Sequence, residues 1–242
     1  MSLNPKTIRL DKFLSSKGLA SRRKISQFLE ENKVSSNDIR LKKPGDRIDP
    51  QKDTILVNDR KIEKPTLEYW LVNKPKGIIS TARDENGRKT VVSLVSSQQR
   101  LFPVGRLDKD TTGAIILTND GDLANKLTHP RYHLPKTYQV EIQGQVLAKK
   151  LEMIKKGVPL DDGSTAPAKA RIIKTNKQKT TLEIILFEGR NRQIRRMCQA
   201  LLLTIFSLKR VSIGPIMLAD LKEGTCRRIT KNELSLLKKN KN

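Results

Sequence analysis

The chain has 242 residues, with 49 lysines and arginines against 25 aspartates and glutamates, a formal charge of +24. Such an excess implies a polyanionic partner, most simply nucleic acid, and makes ordinary solubilising surface the lesser reading. No apolar run is long enough to span a bilayer and no charged-then-apolar leader is seen, so a cytoplasmic protein without membrane attachment is expected.

The length suits one or two domains, and the pattern supports two, at 7–64 and 67–242. In the first, Leu10, Phe13 and Leu14 recur at helical spacing and Gly18 supplies a stop. Ser21 reads as the N-cap of a second helix, SRRKISQFLEEN, whose Ile25, Phe28 and Leu29 repeat that spacing. Arg22, Arg23 and Lys24 crowd its first turn, where the helix dipole disfavours cations. A phosphate partner explains them better than a solvated face, and Arg9 and Lys12 join them as candidate RNA contacts. KPGDRI and ILVNDRKI follow as turn-rich strand segments. A short linker around Glu63-Lys64-Pro65-Thr66, allowing flexible orientation, closes this part.

The second part carries strand patterns at Tyr69 to Asn73, Ala114 to Thr118, Thr137 to Ile142, Ala170 to Lys174, Thr181 to Phe187 and Ile205 to Val211. Helices are predicted over Gly121 to Thr128, over Leu147 to Lys156 with Gly157 as the stop, and over Arg192 to Leu202. The LLKKNKN tail reads as frayed. Strands separated by turns, with scattered helices, predict an α+β fold: a small N-terminal α/β domain, then a mixed, mainly antiparallel sheet with flanking helices. Cys198 and Cys226 give no disulfide framework, and His129 and His133 lack companion ligands, so no metal site is expected.

Two stretches carry the chemistry. In GRLDKDTTG, Gly105 to Gly113, Asp108 sits in a turn between the apolar runs Leu101 to Val104 and Ala114 to Leu117. Arg106 and Lys109 flank it, and nearby positive charge favours the charged carboxylate. Locally, Asp108 either closes its own turn or works as a functional acid. In FEGRNRQIRRM, Phe187 to Met197, four arginines crowd a helix start whose Ile194, Cys198 and Leu201 mark a buried face. Arg195 lies at the edge of that face and needs an anionic partner, because an unpaired buried charge is costly.

These blocks, with YWLVNKPKGIIS (Tyr69 to Ser80), KTYQVEIQG (Lys136 to Gly144) and LKRVSIGPIMLADLKEG (Leu208 to Gly224), resemble the RsuA/RluB/RluF family of ribosomal RNA pseudouridine synthases. The N-terminal part is similar to the RNA-binding domain named after ribosomal protein S-four; it departs from it at VSSND, where Asn and Asp replace a glycine turn that they tolerate.

The resemblance implies isomerisation of a uridine in ribosomal RNA, with the large subunit favoured over the small. That reaction involves no redox change or group transfer, so no cofactor is required. It assigns Asp108 to the sugar, Tyr138 to the flipped uracil and Arg195 to pairing with Asp108. It places Arg106 against the RNA after the base is extruded, and Lys74, Arg190 and Arg192 among the RNA contacts. Alternation along KTYQVEI leaves a core role for Tyr138 open, and Arg106 could instead pair with Asp108 or Asp110. Lys74-Pro75-Lys76-Gly77 could equally be a rigid turn. The partner is expected to be ribosomal RNA or a pre-ribosomal particle, and the protein a monomer. A non-catalytic RNA-binding assembly factor is the alternative; DNA binding is suggested only by charge.

Overall fold

A computed structural model describes residues 7–62 and 66–239; most of the predicted linker, residues 63–65, lies outside them. The chain forms two compact units, one running through Leu67 and including Gln98–Arg100, and one of Glu68–Ser97 and Leu101 onward.

In the first unit β1 (Ile8–Arg9) leads into α1 (Leu10–Ser16), a short 3-10 turn and α2 (Ile25–Glu31). The hairpin of β2 (Val34–Ser36) and β3 (Ile39–Leu41) follows. β4 (Arg47–Ile48) pairs back onto β1, and the last hairpin joins β5 (Ile55–Val57), which pairs with β2, to β6 (Arg60–Lys61). Leu10, Phe13, Leu14, Ile25 and Leu29 pack on Val34, Ile48 and Ile55, so the helical spacing read from the sequence does mark the core face. Both two-residue hairpin turns, Asn37-Asp38 and Asn58-Asp59, have positive φ at each position, the geometry that a type I′ turn requires and that Asn and Asp accept. The capping role expected of Ser21 is not found. Its side chain makes no cap, and its carbonyl accepts from Lys24 N at 2.8 Å, closing the 3-10 turn Arg22–Lys24 that precedes α2.

The second unit runs β7 (Tyr69–Lys74), β8 (Phe102–Val104), β9 (Thr112–Thr118), α3 (Gly121–Thr128), β10 (Lys136–Gln143) and α4 (Ala148–Lys156). It continues with β11 (Lys169–Thr175), β12 (Lys179–Leu186), α5 (Gln193–Ala200), β13 (Ile205–Ile213), β14 (Ile216–Met217), β15 (Cys226–Arg228) and α6 (Lys231–Lys239). Among the described residues these strands form one sheet in the order β11-β12-β10-β13-β9-β7-β15, with β14 beside β13 and β8 beside β9. Every named pairing is antiparallel except β9 with β13, through Thr112–Lys209 and Gly113–Arg210. That junction unites the two halves of the sheet.

Strand composition follows position. β9 is buried from Gly113 to Thr118 and reads as a continuous apolar run, as a strand covered on both faces should. β12 alternates, turning Thr180, Leu182, Ile184 and Leu186 inward. Beneath them Ile154 of α4 and Ile194, Met197 and Cys198 of α5 complete one core, while Leu123 and Leu127 of α3 and Leu237 of α6 help close another. No helix among the described residues is long and apolar enough to cross a membrane.

The frayed tail is corrected for residues 236–239: they belong to α6, anchored by the fully buried Leu237. Its start is a capping box. Thr230 Oγ1 accepts from Glu233 N at 3.2 Å, and Glu233 Oε2 accepts from Thr230 N at 2.9 Å. Thr230→Ala is expected to destabilise the protein by about 1 kcal/mol. Thermal unfolding checks this, and an unchanged midpoint would mean that this helix end contributes nothing.

Candidate active site

The segment between β8 and β9 is where Asp108 sits, and the surroundings hold it at several points. Ser80 Oγ donates to Leu107 O at 2.8 Å and accepts from Leu107 N at 3.0 Å. Gly77 N donates to Lys109 O at 2.9 Å, and Thr111 N to Asp108 O at 3.1 Å. Arg195 Nη2 reaches in from α5 to Asp110 O at 3.1 Å and to Thr111 Oγ1 at 3.3 Å. Ser80, at the end of the Tyr69 to Ser80 motif, is thus one of the pins of the loop.

Lys74 requires a correction. Expected among the RNA contacts, it is fully buried, with Nζ donating to Pro75 O at 2.9 Å and to Lys109 O at 3.3 Å. It supports the Asp108 loop from beneath, which favours the rigid-turn reading of Lys74 to Gly77. Burial pushes its pKa down to about 8, against the opposing pull of Asp110, Glu223 and Asp108. Between about pH 8 and the ordinary lysine value near 10.4, the unfolded chain therefore holds a proton that the folded protein has released. Stability from this group should rise with pH across that window and stay flat outside it. Lys74→Met is expected to remove that rise in denaturation midpoints; an unchanged pH slope would contradict the assignment.

Asp108, Tyr138, Arg192 and Arg195 all line one cleft of about 430 Å³. Tyr138 is partly buried on β10, its inward neighbours Val140 and Ile142 fully so, placing the ring at the margin of the core and in the cleft wall. The resemblance makes Arg192 an RNA contact and Arg195 the partner of Asp108. Both arginines reach the carboxylate: Arg192 Nη1 lies 3.4 Å from Asp108 Oδ2 and Arg195 Nε 3.9 Å from it. Arg192 is thus the nearer, thrown toward Asp108 by a left-handed backbone, φ 48°, at the entry to α5. Arg195 Nε is buried and has no hydrogen-bond partner among the described residues. A small shift of the carboxylate would complete that bond, and catalytic hydrogen bonds often close only once substrate binds.

Arg106 lines the same cleft and is exposed, and no ion pair ties it to Asp108 or Asp110 among the described residues. Arg190 also lines the cleft and is partly exposed; its Nη1 donates to Gly163 O at 2.8 Å and its Nη2 to Ser164 O at 2.7 Å, so the protein's own loop fixes its guanidinium in place. In the first unit Arg22 is likewise held, by the buried Asp11 at 2.9 Å, which Arg9 also meets at 3.2 Å. Lys12, Arg23 and Lys24 are exposed.

A family model described as RNA pseudouridylate synthase matches residues 68–200, and an S4 domain model matches residues 8–55. The chain belongs to the RNA pseudouridylate synthases. It is 40% identical to ribosomal large subunit pseudouridine synthase B of Bacillus subtilis (strain 168), over 95% of each chain. An uncharacterized RNA pseudouridine synthase of Aquifex aeolicus (strain VF5) is 39% identical over 95% of this chain and 93% of its own. Among solved structures, a pseudouridylate synthase crystal structure superposes with a TM-score of 0.69 at 29% identity, covering 95% of this chain and 99% of that one. The family read from the sequence motifs is therefore the right one, and a non-catalytic assembly factor is not favoured.

Proposed function

We propose that this pseudouridine synthase converts a uridine of large-subunit ribosomal RNA to pseudouridine in the cytoplasm, with Asp108 acting at the ribose. The observation that carries the site assignment is the convergence of Asp108, Tyr138, Arg192 and Arg195 on one cleft, with guanidinium nitrogens 3.4 and 3.9 Å from the carboxylate. The choice of subunit rests on the Bacillus subtilis relative, a ribosomal large subunit pseudouridine synthase.

The uridine is extruded from its stack, and exposed Arg106 at the cleft holds the RNA after the base leaves. The N1–C1′ bond breaks, uracil turns, and C5 bonds to C1′. A carboxylate beside the sugar serves this either by attacking C1′ or by taking a proton from the ribose. Both routes need the carboxylate charged and aimed, which Arg192 and Arg195 provide. Tyr138 stacks on the uracil and assists loss of the C5 proton. Mapping pseudouridines in ribosomal RNA transcripts of each subunit after incubation with the enzyme tests the substrate. A new site in the large-subunit transcript is expected, and one confined to the small-subunit transcript would overturn the choice.

The first unit supplies backbone affinity through Lys12, Arg23 and Lys24, with Arg9 and Arg22 both braced against Asp11 beside them. Replacing Arg23 and Lys24 with alanine should weaken RNA binding and lower its log–log salt slope by roughly 0.7 to 0.9 per lost phosphate contact. An unchanged slope would remove both residues from the interface.

A further inference from the structure

Arg210 and Lys136 line the cleft without a role in the scheme above. Arg210, on β13, is only 5% exposed and lines the cleft. Its Nε donates to Ala114 O at 2.7 Å, but its Nη2 is buried and has no hydrogen-bond partner among the described residues. Its cross-strand partner is Tyr138, so the two side chains stand on the same face. Two residues back along β10, Lys136 lines the same cleft. Burial there, and the neighbouring Arg210 charge, lower the pKa of Lys136. Neither Lys136 nor Arg210 forms an ion pair with a carboxylate among the described residues. Like charges placed together with one of them nearly buried and no counter-charge are costly, and an oxygen of the ligand would relieve that cost.

That partner is the base rather than a phosphate. Arg192 is 48% exposed and Arg106 is exposed too, so they stand where a nucleic-acid backbone passes. Arg210 lies deeper, beside the tyrosine assigned to the uracil ring. We propose that Arg210 and Lys136 hold a carbonyl oxygen of the flipped uracil and stabilise the negative charge that collects there when the N1–C1′ bond breaks. The inference rests on the isomerase reading with Asp108 at the sugar. On cleavage the N1–C1′ electron pair leaves with the base, and the charge is shared by N1, O2 and O4. The ring then returns a pair to C1′ from C5, C5 loses its proton and N1 takes one up. The two cations exchange no atoms or electrons; they lower the charge developed on the departing base.

The test is single-turnover tritium release from uracil-C5-labelled ribosomal RNA at saturating enzyme, beside filter-binding affinity, for wild type, Lys136→Met, Lys136→Arg and Arg210→Lys. Lys136→Met is expected to lower the saturating rate about 100-fold, the scale for one lost donor to developing charge. Its RNA affinity should stay within about threefold of wild type, and Lys136→Arg should recover most of the rate. Arg210→Lys, which keeps the charge but loses Nη2, should also be slowed. Because that variant also disturbs the Ala114 contact, the Lys136 pair decides the matter if it fails to fold. Wild-type rates from Lys136→Met would overturn the inference alone, as would weakened affinity with an intact saturating rate, the signature of a phosphate contact. No release by the wild type would overturn the isomerase reading on which it rests.

Discussion

Asp108→Asn is expected to bind ribosomal RNA about as well as the wild type and to turn it over about four orders of magnitude more slowly. The substitution is nearly isosteric, so the Ser80, Gly77 and Arg195 contacts that pin the loop backbone survive it. What is lost is the negative charge that faces Arg192 at 3.4 Å and Arg195 at 3.9 Å. An amide neither attacks C1′ nor takes a ribose proton at a useful rate, whereas binding draws mainly on cations that remain. Retained single-turnover activity would sink the assignment of Asp108.

Gly113→Ala is expected to have the largest structural effect of any single methyl group in the site. Gly113 has φ 109°, and a Cβ there would clash with Arg210 O and lie 2.7 Å from Arg210 N. Both obstacles are backbone atoms of the neighbouring strand, so no side-chain rotation relieves the clash. The strand would have to move at the parallel β9–β13 junction, which in this register comprises only Thr112–Lys209 and Gly113–Arg210. Strained backbone and overpacking together should cost at least about 3 kcal/mol, with activity falling as the Asp108 loop and Arg210 shift apart. Chemical denaturation reads the loss, and wild-type stability would contradict the geometry.

Much of the fold was legible because its signals are local. Alternation in KTYQVEI, the apolar run Ala114 to Leu117 and the glycine stop after Lys156 each act within a few residues, and each marks an element of the structure. Thr230 and Glu233 were equally local. The Thr-x-x-Glu spacing is a helix-start signal, and α6 was missed by passing over it.

The site residues divide along the same line. Asp108 and Tyr138 could be named from their motifs, and they line one cleft. Lys74 misled because a basic residue in a basic chain reads as surface, and like Arg190 it has partners that are remote in the chain. Lys74 meets the carbonyl of Lys109, and Arg190 the carbonyls of Gly163 and Ser164. Arg22 is claimed by Asp11 from the preceding helix, a pairing that depends on how α1 lies against the 3-10 turn. Arg210 could not be singled out at all. Its burial follows from a parallel pairing with Gly113, far away in the chain, and only the assembled sheet leaves its Nη2 without a partner.

We propose that Asp108 in this cleft makes the protein a uridine isomerase. The most direct test is tritium release from ribosomal RNA of each subunit labelled at uracil C5, with wild type and Asp108→Ala side by side. Release by the wild type from large-subunit RNA, and none by Asp108→Ala, is the predicted result. Equal release by both proteins, or none from either RNA while binding remains intact, would contradict it.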